Sequence, residues 1–482
     1  MSAIKSEVFS ALFIVGIIAA TIGAAYFSAG KEIDLVIIGV IAAVMLIICF
    51  FNVRLSLMLL ILSMLLSPEI MIGSTSSRDI TIRFDDIFLL IMTFGWIVRI
   101  AVFKNIGLML KNPMNRPIYA FSLSAILSTT LGAFYGTVSP MTGFFFVLKF
   151  IEYFFLFSII VNFIKDYKEV NQLLTTMFIV CAIICLYGLY QTVTGGDVSA
   201  PFEGSEGEKN TLGGYLVLMV SVAIGVIIHS ESRREKLLLI LMVTAAGIVI
   251  LNSMSRSSWV AIAVAAFLYF FIIKQKLAYL AAVALAAGLL VVYMPEEVVE
   301  RFMYTFTQEW APHRKFVTIA GVRLDTSLSG RIFDYLNALR RWPEHPILGF
   351  GVTGFAFLDG QFFRVLIEMG AVGLIVIIWL FARLHKLIVQ AMKASLSPRL
   401  HGMTVGFYVG FWAMMAHALS ANTFIIVRIA EPFWCLAGLT VICMMHAQET
   451  EEWIHKEPEQ PQDQEYLSYK DLTRRSHSAR QS

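Results

Sequence analysis

Apolar residues run through this chain in blocks of roughly 17–25, the length a helix needs to cross the hydrocarbon core of a bilayer, with short polar breaks between them. The blocks fall near residues 8–29, 35–51, 55–72, 86–103, 117–137, 143–164, 172–192, 212–229, 237–252, 258–273, 277–293, 361–382, 403–420 and 429–446. The third is the weakest. The pattern therefore predicts an all-α, polytopic transmembrane helical bundle of twelve to fourteen spans. The first block is too long for a signal-peptide core and reads as a retained span. Residues 294–360 form the one long connection; with Trp310, Trp342 and a helical-looking stretch at 330–341, it is expected to fold as a small cap. The chain thus divides into helices over 1–200, further helices over 201–293 with an arginine at one end, the long loop 294–360, C-terminal helices over 361–446, and a polar tail over 447–482 whose Glu, Gln and Pro content predicts disorder.

Composition excludes a soluble reading. Of the 482 residues 58% are hydrophobic and only 15% charged, against about 25% charged in ordinary soluble domains. Charge placement sets an orientation. With the N-terminus in the cytoplasm, the short inner segments carry sixteen Lys and Arg and the short outer segments five, the bias of the positive-inside rule. Both termini are then expected in the cytoplasm, with the long loop outside. The net charge of +3 gives no reason to expect a nucleic-acid partner. All five cysteines lie in apolar runs, and no His/Cys group has metal-ligand spacing, so they read as packing residues and no metal is expected.

Polar side chains inside apolar blocks are expensive and mark candidate function. Lys149 and Glu152, three apart in the sixth block, predict an ion pair on one helix face, either structural or lining a lipid-phosphate pocket. Arg256 stands among serines in Ser253-Met254-Ser255-Arg256-Ser257-Ser258-Trp259; it reads either as a snorkelling interfacial cation or as a functional one in a polar socket. Asp359 is placed as the N-cap of the twelfth block. With Gln361 and Arg364, which lies four residues from Glu368 on one helix face, it puts a carboxylate, an amide and a guanidinium at a helix N-terminus, an end that favours anions. His345 reads as a turn residue, His417 as a buried hydrogen-bonding group, and Arg428 opens the last block before Glu431. Gly349, Gly351 and Gly354 match G-x-G-x-x-G, but no strand precedes them, and a dinucleotide site is rejected.

The second half has a recognisable order of short motifs: Asn210-Thr211-Leu212-Gly213-Gly214-Tyr215-Leu216, then Ser255-Arg256-Ser257-Ser258-Trp259, Ser329-Gly330-Arg331, His345-Pro346-Ile347-Leu348-Gly349-Phe350-Gly351, and Asp359-x-Gln361-Phe362 leading to Leu366-x-Glu368-x-Gly370. Over roughly 200–390 this resembles the O-antigen ligase and polymerase superfamily. The resemblance implies a metal-independent, cofactor-free glycosyltransferase on the outer face of a bacterial cytoplasmic membrane. Its donor would be a glycan linked to undecaprenyl pyrophosphate, its acceptor a sugar hydroxyl, and its partners other polysaccharide-export proteins. It further implies Arg256 on the pyrophosphate, Arg331 as a second phosphate or sugar contact, and a base near Asp359. Ligases tend to carry a His-Asn pair where this chain has Asp359-Gly360-Gln361, which moves the expectation toward a polysaccharide polymerase. His345 and His417 are reserve bases. Asn210, Gln361, Arg364, Lys149, Glu152 and Arg428 complete the candidate substrate-binding set. A flippase is the remaining alternative, but no internal repeat is visible and the polar candidates sit at block ends, not midway along them.

Overall fold

The computed structural model describes residues 52–67, 69–74, 79–102, 112–201, 209–293, 299–300, 303, 316–319, 322–394 and 396–456. The expected spans at 8–29 and 35–51, the loop around Trp310 and the tail after 456 lie outside the described residues. A helix stands at each of the other twelve expected spans, but the one at 55–72 stops at Leu66, and residues 69–72 of that span form a strand instead. The helices are α1 Val53–Leu66, α2 Phe84–Val102, α3 Asn115–Phe134, α4 Pro140–Phe163, α5 Tyr167–Thr194, α6 Lys209–His229, α7 Arg233–Asn252, α8 Arg256–Ile272 and α9 Lys276–Tyr293; then, after the helix α10 Thr326–Arg341, α11 Gln361–Lys393, α12 Pro398–His417 and α13 Val427–Lys456. α13 runs past the expected span end at 446. The only strands among the described residues are two short antiparallel hairpins, β1 Glu69–Ser74 with β2 Asp79–Arg83, and β3 Thr318–Ile319 with β4 Val322–Arg323. The chain is therefore an all-α, multi-pass integral membrane protein. Among the described residues seven helices are long and apolar enough to cross a bilayer, and α1, α8 and part of α9 are shorter apolar helices.

The centre of the bundle is α6 with α12 and α13. α6 and α12 run antiparallel with their backbones in contact. A Cβ on Gly225 would meet the carbonyl of Gly402 and the backbone of Gly406, and one on Gly406 would meet Val222 at 2.6 Å. In lipid, where helices gain little by hiding apolar surface from each other, small residues allow the close packing that holds them together. The contact lays the first turn of α6 beside the last turn of α12, which decides where Asn210 and His417 stand.

The glycine run rejected as a nucleotide loop has a packing role. Residues 345–351 thread along a kink in α11 at Gly370, whose φ of +67° a side chain would resist. Phe350 and Gly351 donate their N–H groups to the carbonyls of Ile367 and Glu368 at 3.0 and 2.8 Å, and Ala371 donates back to Pro346 at 2.9 Å. Ser128 of α3 donates to the same strip, its hydroxyl lying 2.6 Å from the carbonyls of both Leu348 and Glu368. A Cβ on Gly351 would lie 2.5 Å from Val138, so the loop fits only as backbone.

Candidate functional site at one end of the bundle

The first turns of α6, α8 and α11 and the last turn of α12 meet at one end of the bundle, and α10 lies across them. Ser255 caps α8 by accepting the Ser258 N–H at 3.3 Å, which places Arg256 at the first helical position. The preceding Met254 has φ +55°, an uncommon conformation for a side-chain-bearing residue, and it turns the chain from α7 into α8. Arg256 reaches Asp325 at 2.6 Å. Asp325 is the N-cap of α10, its Oδ1 accepting the Leu328 N–H at 2.9 Å. One carboxylate therefore both starts α10 and ties it to α8. Arg331, six residues after Asp325, donates from Nε to Oδ2 of Asp359 at 3.0 Å. Both arginines keep nearly a quarter of their side chains exposed and Asp359 slightly more, while Asp325 is buried. Tyr335 donates to the Leu419 carbonyl at 3.3 Å and stacks on Phe363 at 4.3 Å, which fixes α10 over α11 and the segment after α12. Asp334 of α10 has its carboxyl held above the usual range, first by partial burial and then by the neighbouring Asp359.

Beneath the arginines runs a chain of polar groups. Ser255 donates to Oδ1 of Asn210 at 2.7 Å and lies 2.8 Å from the Ser258 hydroxyl. Ser258 lies 3.4 Å from Nε2 of His417, whose Nδ1 is 2.8 Å from the Thr423 hydroxyl. Ser420 donates to Ser257 at 2.9 Å. Gln361 receives the segment after α12: its N–H donates to Ala418 and Ala421, and its Oε1 accepts the Phe424 N–H at 3.0 Å. Arg256, Arg331, Asp359, Gln361, Asn210 and His417 are thus brought to one region.

Asp359 does not cap α11. Gly360 holds that position, with φ +92°, because a Cβ there would press on Tyr335 at 2.6 Å, and the Asp359 carboxylate turns to Arg331 instead. Arg364 is buried and donates to Glu368, four residues on along the same helix face, at 3.2 Å. His345 ends the short 3-10 turn Trp342–Glu344 and stacks against Tyr135 at 5.2 Å.

A second polar group lies deeper, around Lys149, Glu152 and Arg428. The expected Lys149–Glu152 pair does not form; Lys149 contacts Asp86 at 3.0 Å. Asp86 comes from the first turn of α2, and helix packing brings it closer to the ammonium than Glu152 on the same helix. Arg83 pairs with Asp85 at 3.0 Å and donates to the Met64 carbonyl. Arg428 is buried and donates to the Pro201 carbonyl. Asp85, Asp86 and Glu431 bring carboxylate oxygens within 4.8 Å of one another, the composition of a cation site. Arg83 and Lys149 already hold two of these carboxylates, which favours an internally neutralised ion cluster. Tyr153 donates to the Ile425 carbonyl at 3.0 Å, linking this cluster to the segment that also carries Thr423.

Sequence reasoning missed Asp325, Thr423, Ser258 as a partner of His417, and the Arg83-Asp85-Asp86 run. Only Asp325 carried a signal, the Asp-Thr-Ser-Leu of a helix start. The four described cysteines are buried and unpaired, in keeping with packing roles.

A family model described as O-antigen ligase matches residues 240–378. That stretch holds Arg256, Asp325, Arg331 and Asp359. No curated protein matches the chain significantly.

Proposed function

We propose, on the premise that residues 240–378 are a domain of the O-antigen ligase family, that this membrane enzyme polymerises glycan repeats carried on undecaprenyl pyrophosphate. Membership of that domain implies handling of lipid-linked glycans and chemistry of glycosyltransferase type. The diphosphate chemistry rests on one observation: α10 draws Arg256 and Arg331 to one end of the bundle, each held by a carboxylate and each still partly open; the preference for a polymerase rests on Asp359-Gly360-Gln361, which stands where ligases tend to carry His-Asn. Guanidinium groups suit a diphosphate because they stay charged and offer forked donors. A guanidinium has five N–H donors, more than the oxygens of one carboxylate can take up.

In this scheme the acceptor hydroxyl attacks the anomeric carbon of the donor sugar. The new glycosidic bond forms as the bond from that carbon to the diphosphate oxygen breaks. The hydroxyl proton passes to Asp359, and the electron pair leaves with the diphosphate. Arg256 and Arg331 stabilise the charge growing there, the work a metal does in other transferases. The positive-inside bias puts this end outside the cytoplasm, with both termini inside.

The family description favours one other reading, in which the same chemistry transfers glycan to a lipid A core. Deleting the gene and resolving surface glycan on gels separates the two. Loss of long chains with single repeats retained supports the polymerase. Polymer left on the carrier lipid with no attachment to lipid A supports the ligase. Repeats stranded on the inner leaflet would refute both in favour of a flippase. Arg256→Ala and Arg331→Ala abolish chain extension at normal protein level if the reading is right.

A further inference from the structure

The polar chain beneath Arg256 is directional, and its outer end is Asn210. Ser255, Ser258, His417 and Thr423 are buried, whereas Asn210 is only partly so. Thr423 can donate to Nδ1 of His417, Nε2–H to Ser258, Ser258 to Ser255, and Ser255 to Oδ1 of Asn210. In that order Ser255 uses both lone pairs, on the Ser258 N–H and hydroxyl, and spends its one proton on Asn210. The carboxamide oxygen is thereby fixed inward. The NH2 has no acceptor among the described residues.

The surrounding backbone is shaped for this chain. A Cβ on Gly213 would collide with the Ser258 hydroxyl, and one on Gly214 would crowd His417 Cε1 at 3.1 Å. The glycine pair that begins three residues after Asn210 therefore admits the serine of α8 and the histidine of α12 to the face of α6. Four buried groups from three parts of the chain converge to hold one side chain next to the residue before Arg256.

We propose that this relay orients Asn210 so that its carboxamide NH2 donates to the diphosphate gripped by Arg256, with His417 and Ser255 as positioning residues. The idea rests on the diphosphate reading above and adds to it a neutral donor whose direction is set from within.

The test is binding of undecaprenyl pyrophosphate to the full-length protein in detergent micelles. Asn210→Ala removes the donor and should weaken binding about tenfold. Asn210→Asp keeps an oxygen for Ser255 but offers a carboxylate to the anion, and should weaken it further, about a hundredfold. Ser255→Gly, which costs the α8 cap only a few tenths of a kcal/mol, frees the amide to turn and should weaken binding several-fold, with no added loss in the Asn210→Ala background, because its effect on binding runs through that side chain. Two results would overturn the proposal while leaving the diphosphate site intact. In both, Arg256→Ala loses binding; in the first, Asn210→Ala binds as tightly as wild type or more tightly, and in the second, Ser255→Gly adds its full loss to Asn210→Ala. If Arg256→Ala itself binds like wild type, the diphosphate reading fails, and this inference with it.

Discussion

Asp325 does two jobs with one carboxylate, and a conservative substitution separates them. Asn caps a helix about as well as Asp, so Asp325→Asn keeps the bond to the Leu328 N–H and removes only the charge facing Arg256 at 2.6 Å. At an effective dielectric near 20, unit charges about 4 Å apart attract by about 4 kcal/mol. Arg256 keeps 24% of its side chain exposed, and solvent there screens part of the attraction, leaving about 2–3 kcal/mol. The loss falls on the docking of α10, whose local opening then becomes easier while the α6–α12 pair is untouched. Hydrogen exchange of the amides of 326–341 should quicken about 30- to 150-fold, at about 1.36 kcal/mol per tenfold. Asp325→Ala loses the cap as well, about 1 kcal/mol, and should add roughly fivefold. Arg256→Ala should loosen the same helix, and the double variant Arg256→Ala/Asp325→Asn should be no looser than the single ones. Unchanged protection of α10 in Asp325→Asn, or fully additive effects with Arg256→Ala, would refute the claim that this ion pair seats α10 over the site.

Gly213→Ala should destabilise the protein by about 1–3 kcal/mol through overpacking against Ser258, and Ser258→Gly in the same chain should restore most of it; thermal unfolding in micelles reads both. Arg364→Ala leaves the buried Glu368 short of its cation and should lower stability by about 3–5 kcal/mol, while glycan output per folded molecule stays near wild type; a lost output at full stability would return Arg364 to the substrate site. Asp334 has its carboxyl pushed up by partial burial and by Asp359. The folded state therefore holds this proton more tightly than the unfolded one, so the stability tied to it is present below the unfolded value and lost as pH rises through the folded one. Asp334→Asn should slow exchange in α10 slightly at neutral pH and flatten its pH dependence between those values; an unchanged pH profile would count against the coupling.

Much of the fold was legible because hydropathy is a local property. A bilayer asks each segment to be long and apolar, and a run such as 212–229 answers without knowing its neighbours, so α6 fell where the run is. Arg256 was legible for the same reason, as a cation where an apolar block begins. The spacing of Arg364 and Glu368 fixed their pairing, because four residues apart on one helix is a contact whatever else packs there.

The partners that cross between helices were not written locally. Lys149 had a carboxylate three residues away and took Asp86, 63 residues back, because helix packing set that oxygen 3.0 Å from the ammonium. Asp359 looked like a cap until Tyr335 filled the space beside Gly360 and Arg331 offered a charge. His417 met Ser258 only because glycines let α6, α8 and α12 close up at one end. One-dimensional pattern determined which segments enter the membrane and which polar groups they carry; the approach of one backbone to another, an arrangement of the whole bundle, decided which of those groups face each other.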